Sequence, residues 1–226
     1  MKLRFAAVAG ALGMTAAAVA VPAPALADVP CSITGMSPRG VVVGLTPRTV
    51  TFHMATAGCT LEYWSLDAGD FFVYTDAPQD TLDPYHNDQA GARDVIATAY
   101  NSDAVERQRV FADGFSLKRR TTWQSKTFNA SPEPVQRGST ISVKGRLLVA
   151  DWSNDRYRGY GSRTVSVQFR TPAGTYATVK TAKTAADGWL RTTVPARTTG
   201  VWRVVYGGNT VAGSAVVAGD AVQVTS

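Results

Sequence analysis

The stretch YTDAPQDTLDPYHNDQAGARD, Tyr74 to Asp94, carries Asp76, Asp80, Asp83, Asp88 and Asp94 against one base, Arg93. Counted from Asp67, seven aspartates face a single arginine. Carboxylates at that density suit a hard cation, since calcium takes about six to eight oxygen ligands. Asp76, Asp80, Asp83 and Asp88 are the candidate metal ligands, and calcium is the candidate ion. Their spacings of four, three and five residues depart from the Asp-x-Asp-x-Asp-Gly run of an EF-hand. Aspartate mixed with Pro, Asn and Gly also forms turns by bonding its own backbone. A calcium loop and a solvated connection therefore both fit the segment.

A second cluster lies in DWSNDRYRGY, Asp151 to Tyr160. Trp152, Arg156, Tyr157, Arg158 and Tyr160 have the residue types of a ligand surface. Aromatic faces stack on the apolar faces of sugars, and guanidinium pairs bidentately with carboxylate or phosphate. Trp152 is equally suited to plugging the end of a domain. Asp151, Asn154 and Asp155 are a weaker metal set, opposed by the adjacent Arg156 and Arg158. The run Lys118-Arg119-Arg120 reads as a solvated basic face.

Catalytic groups are sparse. The chain has two histidines, His53 and His86, without His-x-x-x-His spacing, and no Gly-x-Ser-x-Gly elbow. His53 alternates with Phe52 and reads as a partly exposed strand residue. Nothing selects a carboxylate pair for acid–base work. The expectation is a protein with no catalytic residues.

The elements that must position these groups begin after an export signal. Lys2 and Arg4 precede an apolar run from Phe5 to Val21, and Ala25-Leu26-Ala27 offers a small-residue cleavage site. Residues 1–27 are read as a signal peptide and the mature chain as secreted, with no membrane span. Its two cysteines, Cys31 and Cys59, are expected to form one disulfide outside the cell. Such a bond would add on the order of 3 kcal/mol. Charge is uneven. Residues 28–128 hold nine Lys/Arg and twelve Asp/Glu, whereas residues 129–226 hold twelve and five.

A repeat sets the architecture. SPRGVVVG (Ser37 to Gly44) and SPEPVQRG (Ser131 to Gly138) share Ser-Pro-x-x-Val-x-x-Gly at a separation of ninety-four residues. Proline before a strand and glycine after it suit an edge strand that switches sheets. Each copy precedes an alternating run, Val50/Phe52 and Ile141/Val143. Period-two alternation recurs in TVSVQFR, WLRTTV and VWRVVY, where Trp202, Val204 and Tyr206 share a face. Asp187-Gly188 marks a hairpin turn. The fold class expected is all-β: two tandem immunoglobulin-like β-sandwiches, residues 28–128 and 129–226.

The stretch TAADGWLRTTVPARTTGVWRVVYGGN (Thr184 to Asn209), with GSTISVKGRL and VSVQFR, resembles the immunoglobulin-like domains of secreted proteins from Gram-positive soil bacteria. The resemblance implies an adhesive or structural module without catalytic residues. Some two-domain members carry a calcium-binding label, with no ligand positions to transfer. The function expected is non-enzymatic binding or structure at the cell envelope or outside it. An anionic cell-wall polymer, a glycan or another secreted protein is the expected partner. A calcium-binding protein using residues 76–94 is the alternative.

Overall fold

The computed structural model describes residues 31–58, 61–101 and 106–226. The expected signal peptide and Cys59 lie outside these residues. The architecture is all-β, and no helix among the described residues is long and apolar enough to cross a membrane.

The first half contributes β1 (Ser32–Ser37), β2 (Gly40–Val43), β3 (Arg48–Thr51), β4 (His53–Ala57), β5 (Leu61–Asp67), β6 (Phe72–Tyr74), β7 (Gln79–Leu82), β8 (Gly91–Asn101) and β9 (Glu106–Arg119). One layer is the five-stranded sheet β2-β9-β8-β5-β6. In the other, β1 pairs β4 and β3 pairs β7, with β3 and β4 separated only at Phe52. Val95, Ala97 and Ala99 of β8 alternate inward, meeting Leu66, Val73, Phe52 and Phe115 in the core. Phe52, fully buried, stacks on Phe71 with centroids 4.2 Å apart, while neighbouring His53 is exposed.

The second half adds β10 (Thr121–Trp123), β11 (Asn129–Ser131), β12 (Val135–Gln136), β13 (Thr140–Asp151), β14 (Arg156–Gly159), β15 (Thr164–Arg170), β16 (Ala177–Lys183), β17 (Trp189–Pro195), β18 (Gly200–Tyr206), β19 (Ala215–Val216), β20 (Asp220–Val222) and β21 (Val224–Thr225). Strand β13 is the axis of one layer, pairing β10, β11, β14 and β17. Strands β16-β15-β18-β19 form the other, with β20 also on β18. Val143, Val165, Val167, Trp202, Val204 and Tyr206 are buried in its core, and Phe169 is partly buried against it.

The repeated motif behaves alike in both copies. Ser37 ends β1, which lies against β4, and the chain then crosses so that β2 runs parallel to β9. Ser131 ends β11, which lies against β13, and β12 then runs parallel to β21. Each copy thus moves the chain from one layer to the strand that closes its own unit.

Two local expectations change. Gly188 has φ +84°, as the turn requires, but β16 and β17 lie in different layers, so the turn crosses between sheets. Thr121 to Trp123 pair with Val149 to Leu147. Trp123 sits in the second core, its indole N–H donating to the Ala215 carbonyl at 3.3 Å. Thus residues 121–128, counted with the first half from the position of the Ser131 motif, bond to the second, and Arg120 alone separates β9 from β10.

Candidate functional site: an interlocked junction and an aromatic sheet face

The two stretches singled out in the sequence touch at the junction of the two units, where Asn87 of the acidic loop meets Asp151 and Trp152. Strand β13 runs past its own core, and Ala150 near its end and Trp152 just beyond it are buried among first-unit residues. The Trp152 indole N–H donates to the Gly44 carbonyl at 2.7 Å. Backbone bonds tie the same place: Arg120 N–H donates to Val43 at 2.7 Å, and Ala150 N–H to Arg120 at 2.8 Å. Arg119 donates to Val211 and accepts from Gly213, at 3.0 and 2.9 Å.

Asn87, from the acidic loop, is the polar centre of this junction. Its side-chain amide donates to Asp151 Oδ1 at 2.6 Å. Its Oδ1 accepts from Arg119 at 3.1 Å and from the Trp152 backbone at 3.0 Å, while its own N–H donates to Ser153 Oγ at 3.1 Å. A half-buried amide with both ends occupied costs little, whereas one shielded from water and unpaired is expensive. Asp151, only 3% exposed, also accepts from Asn154 and pairs with Arg158 Nε at 3.3 Å. The Asn87 hydrogen bond, assisted by Asn154, Arg158 and Arg156, holds its carboxyl below the ordinary carboxylate range, against the opposing push of burial.

The loop that delivers Asn87 is fixed by its own side chains. Gln89 Oε1 accepts from the backbone of Tyr85 and of His86, both at 2.8 Å, closing a single 3₁₀ turn at Asn87–Gln89. Arg93 bonds the Gln89 carbonyl and pairs with Asp70.

The aspartates are spread along this path. Asp76 is exposed between β6 and β7, Asp80 bonds the N–H of Thr81, Asp83 and Asp88 are exposed, and Asp94 accepts from Asp113 N–H. Among the described residues, no three His, Cys, Asp or Glu converge to hold a metal ion. The expected ligand surface at residues 152–160 is also divided. Trp152 and Tyr160 are buried in different cores and Tyr157 is half-buried, leaving Arg156 and Arg158 exposed. The rings therefore offer no common stacking face. Arg119 is buried, not solvated, with its guanidinium 6.0 Å from the Tyr160 ring.

An exposed aromatic face occurs elsewhere, on the outer side of the β2-β9-β8-β5-β6 sheet. Its rows follow the register: Glu106, Tyr100 and Tyr63; Gln108, Thr98, Ser65 and Tyr74; Val110, Ile96, Asp67 and Phe72. Phe72 is 57% exposed, Val110 56% and Ile96 42%. Tyr63 lies 6.1 Å from Tyr74 and 5.9 Å from Tyr100, and Phe72 lies 6.0 Å from Tyr74. The Glu106 carboxylate lifts the Tyr100 hydroxyl above the ordinary phenol range. The signal was present in the sequence. DFFVYT and DVIATAY are apolar at both parities, and a strand facing water on one side should alternate.

No family model and no curated protein matches the chain. Among solved structures, the fibronectin(III)-like modules of Clostridium thermocellum CbhA align at 13% identity and a TM-score of 0.38, over 86% of this chain and 92% of that one. The D00-D0 domain of intimin aligns at 13% identity and 0.31, over 87% and 100%. A 1.5-MDa bacterial ice-binding adhesin aligns at 15% identity and 0.31, over 87% and 65%.

Proposed function

We propose that this is an exported, non-enzymatic binding protein of immunoglobulin-like type, whose first unit presents its aromatic sheet face to a neutral glycan. The observation that carries the reading is the row of partly exposed rings Phe72, Tyr74, Tyr63 and Tyr100, about 6 Å apart. Exposed apolar area of this kind, ringed by polar groups, marks an interaction site. Asp67, Glu106, Ser65, Thr98 and Gln108 lie between and beside the rings and can accept hydrogen bonds from sugar hydroxyls. The three rows contain no lysine or arginine, which turns the expectation away from an anionic polymer at this face. With a strand spacing of about 4.8 Å and a rise of about 3.4 Å, the patch measures about 14 by 14 Å. That is well below the ~800 Å² per partner of an ordinary protein interface and suits a short run of sugar units.

Affinity electrophoresis through gels containing neutral polysaccharides tests this. The wild type should be retarded by one of them, and Phe72→Ala with Tyr74→Ala should abolish retardation without lowering the melting temperature. Equal retardation of the variant, or none of the wild type across neutral cell-wall and plant glycans, overturns it. Capture of a secreted protein that these substitutions release would assign the face to a protein partner instead.

A further inference from the structure

The second unit has an open cleft between β16 and β17, which are edge strands of its two layers. Its volume is about 500 Å³, in the range of small-molecule sites. Phe169, Val179, Val194 and Trp202 give it an apolar wall, and Lys180 and Arg197 also line it. Lys180 Nζ reaches across to the Thr193 carbonyl at 2.9 Å, linking the two edges.

Two features separate this cleft from a packing gap. Trp202 is only 3% exposed, yet its indole N–H has no hydrogen-bond partner among the described residues. Buried donors are rarely left so, because water's hydrogen bonds have been given up for nothing. Its ring packs 4.7 Å from Phe169, which lies so close to the Gly200 backbone that a Cβ there would fall 2.5 Å from the Phe169 ring. The donor is therefore seated by packing. The second feature is charge: Lys180 and Arg197 stand beside the apolar wall, which complements an anionic head on an apolar body.

We propose that this cleft binds a small apolar acid. The body lies against Phe169, Val179 and Val194, the acidic head faces Lys180 and Arg197, and the Trp202 indole N–H donates to a ligand oxygen. The site is independent of the aromatic face of the first unit.

Titration calorimetry of the mature chain with decanoate, below its micelle concentration, tests the site, with decanol as the uncharged control. Decanoate should bind saturably at one per chain. Val179→Trp, at a half-exposed position that fills the cleft, should abolish binding at an unchanged melting temperature. Lys180→Ala with Arg197→Ala should weaken decanoate at least tenfold and decanol hardly at all. The Trp202 indole N–H resonance, assigned with Trp202→Phe, should move on binding. Absence of saturable binding, or full binding by Val179→Trp, overturns the site. Equal binding of decanol overturns the role of the two cations, and an unmoved indole signal overturns that of Trp202.

Discussion

Trp152 and Phe72 make an instructive pair. Trp152 sits among arginines and tyrosines in DWSNDRYRGY, the composition of a recognition surface, yet it is 6% exposed. Phe72 sits in DFFVYT, the composition of an ordinary core strand, yet it is 57% exposed. What separates them is whether another part of the chain lies opposite. β13 carries Trp152 into the core of the other unit, whereas nothing among the described residues covers the outer face of β6. Local composition reports the chemistry a residue can do, and topology decides whether it is free to do it.

The contrast is most directly broken by truncating both rings. Trp152→Ala should cost about 3–5 kcal/mol, as a buried aromatic lost from a core does. Phe72→Ala should leave stability within about 0.5 kcal/mol, as exposed sites do. Denaturant melts decide, and similar costs for both would erase the distinction. Reduction of the expected Cys31–Cys59 bond should follow in size, costing on the order of 2–5 kcal/mol. The β1–β4 register sets Ser32, the neighbour of Cys31, opposite Ala57, and Cys31 is buried. Unreduced mass spectrometry should show two hydrogens missing, and full thiol labelling without reductant would remove the bond.

The junction is sharpened by Asn87→Ala, which strips partners from Asp151 and Arg119 at once. A loss of about 1–3 kcal/mol is expected, the penalty for buried polar groups left unpaired. The pH dependence follows from Asp151, whose folded pKa is depressed. Its contribution is complete above the unfolded value of about 3.9 and is lost as pH falls through the lower folded one. Asp151→Asn should flatten that acid limb of the stability profile. Next, a fragment of residues 121–226 should unfold cooperatively and at higher temperature than one of residues 129–226, which lacks β10 and Trp123. A reversed order would return the boundary to residue 129. The smallest effect belongs to the opening aspartates. Asp80→Asn with Asp83→Asn should leave the melting temperature the same with calcium as with chelator. A calcium-dependent rise in wild type, absent from the variant, would restore the metal site.

Legibility tracked the range of the cause. The sheet switch at Ser37 and Ser131 was readable because proline and glycine act on their own backbone. The burial of Val165, Val167, Trp202 and Val204 was readable because alternation is local. The fate of the Asp-rich segment was not, since its decisive contact joins Asn87 to residues 151–153, more than sixty positions away. Arg119 misled for the same reason, as its partners include Asn87 and the backbone of Val211 and Gly213. The aromatic face of β5, β6 and β8 was not readable either, since apolar residues at both parities do not tell which side another layer covers.

The parallel closing pairs, β2 with β9 and β12 with β21, have a mechanical consequence. Pull a unit apart by its two ends, and the paired strands are dragged along their length in opposite directions. Their rungs are then loaded together, in shear, instead of one after another as in a peeled hairpin. Arg120, the single residue between β9 and β10, passes tension straight from one such clamp into the second unit. A tethered protein of this build would hold its shape under pull until a whole clamp gives way.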